Sequence, residues 1–197
     1  MAKLYFHYSS MNAGKSTALL QANHNYLERG MKTMLFTAKL DNREGGGVIS
    51  SRIGIQKEAL AFGNEDNLFD MVREADSDSK LNCILVDEAQ FLSKEQVRQL
   101  IRLVDEEGIP VLTYGIRSDF KGEVFEGSKF LLAWSDEMKE IKTICHCGKK
   151  ATMNARVSTE GDMETAGAQI EIGGNERYIS LCRGCFNRGE MGSFSPV

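Results

Sequence analysis

What this sequence lacks narrows its chemistry first. No apolar run approaches the ~20 residues that a bilayer-spanning helix needs. At the N-terminus, Lys3 and His7 interrupt the apolar residues, so there is no signal-peptide pattern. A cytoplasmic protein with no membrane partner is expected. A basic excess is missing too: 24 Lys and Arg face 28 Asp and Glu, a formal net charge of −4. Nucleic-acid binders carry a basic face, so nucleic acid is not expected as a partner. Neither an internal repeat nor a low-complexity segment is visible. What remains is a chain of 197 residues, 42% hydrophobic and 26% charged, with room for one domain or one plus a small appendage.

The most informative stretch is Ser9-Ser10-Met11-Asn12-Ala13-Gly14-Lys15-Ser16. An apolar run over residues 2–8 leads into it, and Ala18, Leu19, Ala22 and Tyr26 follow at helical spacing. The order strand, loop, helix with Gly14-Lys15-Ser16 at the junction is the closing half of a Walker A loop. In such a loop the backbone N–H groups and the helix N-terminus surround nucleotide phosphates. Lys15 would reach the outer phosphates and Ser16 would ligate Mg²⁺. The opening Gly of the pattern is Ser9 here.

Gly30 is placed to cap this helix, and residues 32–37 read as a second strand. A βαβ unit implies a parallel sheet with helical crossovers. Residues 38–57, with Gly45 to Gly47, read as a loop, either a plain connector or a gate over substrate. A short strand is predicted over 58–62, a helix over 66–75 and a strand over 81–86. The next helix is signalled by a Ser93/Gln96 capping box and by Val97, Leu100, Ile101 and Val104 on one face. A strand over 109–114, a loop over 115–127, a helix over 128–134 and a strand over 137–144 complete a first domain, residues 1–144.

The strand at 81–86 ends on Asp87-Glu88-Ala89-Gln90. Four apolar residues followed by an acid resemble Walker B. Asp87 would hold Mg²⁺, directly or through water. Glu88 would act as general base, taking a proton from an attacking hydroxyl or positioning a water. Water as the attacker makes an ATPase or a helicase-like motor, and Asp-Glu-Ala-Gln does look like a helicase box. A substrate hydroxyl makes a small-molecule kinase. The first alternative is a P-loop ATPase with a zinc ribbon acting on nucleic acid.

Four of the five cysteines form two close pairs, Cys145/Cys147 and Cys182/Cys185. The pairs resemble the halves of a zinc ribbon, in which four thiolates close a tetrahedral shell around structural Zn²⁺. His146 is an alternative ligand. Between the pairs, 151–157 and 168–172 read as strands, and Gly161 and Gly167 mark an excursion. Tyr178 would pack against a base or sugar, or cover the ribbon.

Five segments in order resemble the thymidine kinase family of the cytosolic type: Met11 to Thr17, Val86 to Phe91, Tyr114 to Phe120, the cysteine pairs, and Ile172 to Tyr178. The sequence looks especially like the enterobacterial members, whose phosphate loop also begins with Ser. The resemblance covers nearly the whole chain. It implies an α/β fold: a P-loop (RecA-like) parallel sheet with helices on both faces, plus a small zinc-ribbon/lasso domain over 145–197. It implies ATP, Mg²⁺, and phosphorylation of the thymidine 5′-hydroxyl. By motif match, Ser9, Ser10, Met11, Asn12, Ala13, Gly14, Lys15 and Ser16 would contact ATP, as would Asp87, Glu88, Ala89 and Gln90. Asp41 and Arg43 resemble the family's Asp-x-Arg nucleotide contact. Glu88 matches the proton acceptor, and Phe120 the ring on which thymine stacks. Gln169, Ile170, Glu171, Ile172 and Gly173 match the lasso whose main chain holds the base, and Tyr178 a substrate contact. Cys145, Cys147, Cys182 and Cys185 match the metal ligands. A homotetramer and feedback inhibition by thymidine triphosphate are implied as well. In one departure, Asn154 falls where a small Thr often lines the methyl pocket in animal members.

Overall fold

A computed structural model describes residues 1–40, 47–78, 80–170 and 177–192. Its centre is a six-stranded sheet: β1 (Leu4–Ser9), β2 (Thr33–Ala38), β5 (Leu60–Phe62), β6 (Cys83–Val86), β7 (Val111–Ile116) and β8 (Glu137–Glu140). The order is β5-β2-β6-β7-β1-β8, and every neighbouring pair runs parallel. All six strands therefore end at one rim.

Parallel strands covered on both faces need apolar residues on both faces. That is what the central strands provide. On one side, Leu4, Phe6, Met34, Phe36, Ile84, Val86 and Val111 pack with α2 (Leu68–Asp78), α3 (Lys94–Asp105) and α4 (Glu126–Trp134). On the other, Leu35, Cys83, Leu85 and Tyr114 pack with Leu19 and Leu20 of α1 (Lys15–Glu28). The α/β fold with helices on both faces is as the sequence implied. Helix α3 starts with the predicted capping box: Ser93 Oγ accepts from the Gln96 N–H, and Gln96 Oε1 accepts from the Ser93 N–H.

Three stretches differ from expectation. The stretch 38–57, read as loop, holds most of an antiparallel hairpin of β3 (Val48–Ser50) and β4 (Gln56–Glu58). Its second strand is wholly exposed, so no apolar alternation betrayed it. The strand expected over 137–144 is two strands, β8 and β9 (Thr143–Ile144). The second pairs with β10 (Lys150–Ala151) instead of joining the sheet. Residues 168–170 form no strand. The partner of β11 (Met153–Arg156) is instead β12 (Tyr178–Leu181). A final helix, α5 (Arg183–Arg188), carries Cys185. Residues 41–46, including the predicted contacts Asp41 and Arg43, lie outside the described residues, as do Glu171, Ile172 and Gly173.

Candidate active site

The phosphate loop joins the end of β1 to α1. Gly14 turns the chain into the helix at φ 83°, a conformation that costs glycine nothing and a residue with a β-carbon much more. Ser9, Ser10 and Lys15 are buried. Lys15 Nζ lies folded under the loop, donating to Ser9 Oγ at 3.0 Å and to the Ser10 carbonyl at 3.1 Å. The buried Ser10 Oγ has no hydrogen-bond partner among the described residues. A helix N-terminus with an orphaned hydroxyl beside it suits an anion.

The acids of β6 arrive at the same rim. Asp87 is buried, and its backbone N–H donates to the Phe36 carbonyl at 2.8 Å. Burial, and then the neighbouring Glu88 carboxylate, push its carboxyl up to about 7. The Ser16 hydroxyl, the Glu88 N–H and the Lys15 ammonium oppose that shift. Lys15, Ser16, Asp87 and Glu88 thus meet in one place, although some seventy residues separate the two motifs. The donor set fits a hard cation: a hydroxyl and a buried carboxylate, both oxygen ligands.

Glu88 itself sits at φ 52° and ψ 39°, the left-handed region, which non-glycine residues seldom occupy. A single 3₁₀ turn, Ala89–Phe91, follows. Gln90 Nε2 donates to Glu88 Oε2, and Gln90 Oε1 accepts from the Ile116 N–H at 3.2 Å. The carboxylate is therefore aimed by a side chain anchored to β7. Close packing holds this turn in place. A β-carbon on Gly127 would come within 2.4 Å of the Ala89 carbonyl oxygen.

Phe120 lies between the sheet and the second module. Its ring is buried, with the Arg156 guanidinium 3.8 Å from the centroid. Arg156 forms an ion pair with Glu164 and donates to the Ala168 carbonyl at 3.1 Å. Gln169 Nε2 donates to Asp119 Oδ2 at 3.1 Å, and Lys121 Nζ to the Gly167 carbonyl at 3.2 Å. The segment leading into residues 169–173 is thereby pinned over Phe120. Tyr178, in β12, is paired in register with Arg156.

The four predicted sulfur ligands converge. The Sγ atoms of Cys145, Cys147, Cys182 and Cys185 all lie within 4.8 Å of one another. Cys147 Sγ and Cys182 Sγ are 3.7 Å apart, against about 3.8 Å across a tetrahedral zinc–thiolate shell. The Cys185 N–H, foremost among several contacts, holds Cys182 below the ordinary thiol range, while burial, foremost, raises Cys185. His146 points elsewhere: Nε2 meets the Glu190 carbonyl at 3.0 Å.

Two residues that bear on the site escaped the sequence. Asn154, seen there only as a departure, has both ends of its carboxamide engaged. Oδ1 accepts from the Met11 N–H at 2.7 Å, and Nδ2 donates to the Ser118 carbonyl at 2.8 Å. Ser180 Oγ donates to the Met11 carbonyl at 2.5 Å. No local signal marks either residue, because each reaches across more than 140 positions.

Comparison with known proteins agrees with this geometry. The chain is 55% identical to a thymidine kinase of Legionella pneumophila (strain Lens), over 100% of this chain and 94% of the relative. It is 57% identical to those of Shewanella oneidensis and Haemophilus influenzae, in each case over 93% of this chain and 95% of the relative. Two solved structures show slight similarity. The large terminase of a thermophilic bacteriophage, in complex with ADP, gives a TM-score of 0.31 at 14% identity, covering 58% of this chain and 34% of that one. Bacteroides Pif1 bound to ssDNA gives 0.35 at 13%, covering 71% and 38%. The family model described as thymidine kinase matches residues 2–186, a span that takes in the phosphate loop, the paired acids and all four clustered cysteines; the chain belongs to the thymidine kinase family.

Proposed function

We propose that this protein transfers the γ-phosphate of ATP to the 5′-hydroxyl of thymidine, giving dTMP for DNA synthesis. The observation that carries the proposal is the meeting of Lys15, Ser16, Asp87 and Glu88 at one rim, with the Ser16 hydroxyl bonded to Asp87. Residues 9–16 would surround the phosphates, and the unpartnered Ser10 hydroxyl gains a partner there. Lys15 would leave Ser9 and Ser10 for the outer phosphates. Ala89 and Gln90 complete the nucleotide side, with Asp41 and Arg43. Mg²⁺ would be held by Ser16 and Asp87; it supplies neutralisation of charge on the transferring phosphoryl group. Glu88, fixed by Gln90, would accept the proton of the attacking hydroxyl.

On the nucleoside side, thymine would lie against Phe120, with the main chain of 169–173 reading its edge and Tyr178 at the sugar. Selection for the thymine methyl over deoxyuridine is then modest, about 1–3 kcal/mol. Structural Zn²⁺ at the four thiolates would fasten the base of the long loop within residues 145–197, the module that follows the α/β unit over 1–144. A homotetramer and inhibition by thymidine triphosphate are carried by the family resemblance alone, and a cytoplasmic location by the sequence pattern; no helix among the described residues is long and apolar enough to cross a membrane.

Labelled ATP offered with each of the four deoxynucleosides tests the proposal. Label should pass to thymidine. Label passing to none, with ATP hydrolysis stimulated by single-stranded DNA, would reverse it.

A further inference from the structure

Met11 sits in the middle of the phosphate loop, yet both of its backbone polar groups are held by the second module. Its N–H goes to Asn154 and its carbonyl to Ser180. The two holders are directly opposite one another, Asn154 on β11 and Ser180 on β12. One step along the same ribbon, Asn12 Nδ2 donates to the Tyr178 carbonyl at 3.3 Å. The next pair on the same face of the ribbon is Arg156 and Tyr178. These are also bonded to each other, and Arg156 covers the Phe120 ring.

One two-stranded face therefore touches two places. At one end it grips the loop that surrounds phosphates. At the other, about 7 Å away along the strands, it meets the ring and tyrosine assigned to the nucleoside. Asn154 is buried and has a second anchor at Ser118, so the grip is not a loose surface contact. A short paired ribbon moves as a unit, and a displacement at Arg156–Tyr178 is passed to the Met11 peptide.

We infer that the β11–β12 ribbon is a mechanical link between the nucleoside and ATP sites, with Asn154 and Ser180 as positioning residues for the phosphate loop. This rests on the nucleoside placement proposed above. Coupling of this kind is reciprocal: each ligand tightens the other by the same factor.

Calorimetric titration of the intact protein with a non-hydrolysable Mg·ATP analogue, with and without saturating thymidine, measures that factor. In the unaltered protein, thymidine should tighten analogue binding within the ~5- to 150-fold range usual for linked sites. Ser180→Ala removes one hydroxyl from a half-buried position, a change the fold should bear. It should bring the factor to within about twofold of unity while both ligands still bind singly. Ser180→Thr, which keeps the hydroxyl, should restore the factor. A factor near unity in the unaltered protein, or one unchanged in Ser180→Ala, would overturn the link while leaving the kinase assignment standing. Failure of thymidine to bind the unaltered protein at all would remove the nucleoside assignment and the link with it.

Discussion

At φ 52° the β-carbon of Glu88 crowds its own backbone, and such strain persists only where the surroundings impose it. Here the surroundings are the Asp87 carboxylate, which accepts from the Glu88 N–H at 3.0 Å, and Gln90. The strain aims one carboxylate and does little else for the fold. Glu88→Gln keeps the shape and loses the basicity. Turnover should fall ~10²–10⁴-fold with nucleotide affinity little changed, as single-turnover kinetics and calorimetry would show. Asp87 contrasts with it: buried, and pushed up to about 7, it ionises more readily with a cation beside it. A second titrating group lies beneath the site. Burial pushes the Cys83 thiol up to about 11 from 9.0. Below pH 9 the thiol is neutral in both folded and unfolded chains, and its contribution to stability is complete. Above pH 9 the unfolded chain ionises first, so stability falls by up to about 1.4 kcal/mol per pH unit until about pH 11. Urea midpoints at pH 8 and pH 10.5 should therefore converge in Cys83→Val. An undiminished alkaline loss in that variant would assign the effect to other groups, such as Tyr26, which burial also raises.

Elements show which parts of the molecule local sequence controls. Helix α3 was readable because its cap, Ser93 and Gln96, and its apolar stripe are contiguous. The phosphate loop and the Asp87–Glu88 corner were readable for the same reason, since each is a run of neighbours at a strand end. The β3–β4 hairpin was not, because only Ile49 of its first strand is buried and its second strand is bare. Residues 168–170 have an apolar alternation, but their neighbourhood is bonded to side chains instead of to a strand. The edge of β11 is taken by β12, and the carbonyls of Gly167 and Ala168 are taken by Lys121 and Arg156. The grip on Met11 was unreadable in principle, since hydrogen bonds across such sequence distances leave no pattern. Gly127 is a case between these. In the sequence it closes the loop read over 115–127; in the structure it lies in the first turn of α4, where that helix touches the 3₁₀ turn after Glu88. Gly127→Ala should cost about 1–3 kcal/mol in chemical unfolding, as overpacking does. Turnover should fall with it, because the turn that carries Glu88 has to shift. Stability lost with turnover intact would show the turn and the carboxylate to be independent.

For the whole molecule, the contrast between its two parts matters most. Among the described residues the sheet has an apolar cluster on each face, the one under α2, α3 and α4 large. The second module has one small cluster, and three of its six buried residues are cysteines: Cys145, Cys182 and Cys185. So small a core does not hold a chain by itself, and metal binding supplies folding energy in such modules. Elemental analysis should find about one zinc per chain. After chelation, limited proteolysis should cut within residues 145–192 while the helical signal of the sheet domain survives. Thymidine binding should be lost along with the ribbon. A chelated protein that resists proteolysis and still binds thymidine would show that the thiolates need no metal.

The uniform direction of the six strands has a practical side. Everything chemical gathers where the strands finish, so the corners where they begin are remote from it. The turn at Glu106–Gly108, between α3 and β7, is exposed and lies at that opposite edge, about 20 Å from the phosphate loop by strand length. A dye or a surface tether attached at Glu107 should leave the phosphorylation rate within error of the free enzyme. That corner is the natural handle for holding this protein still while watching it work.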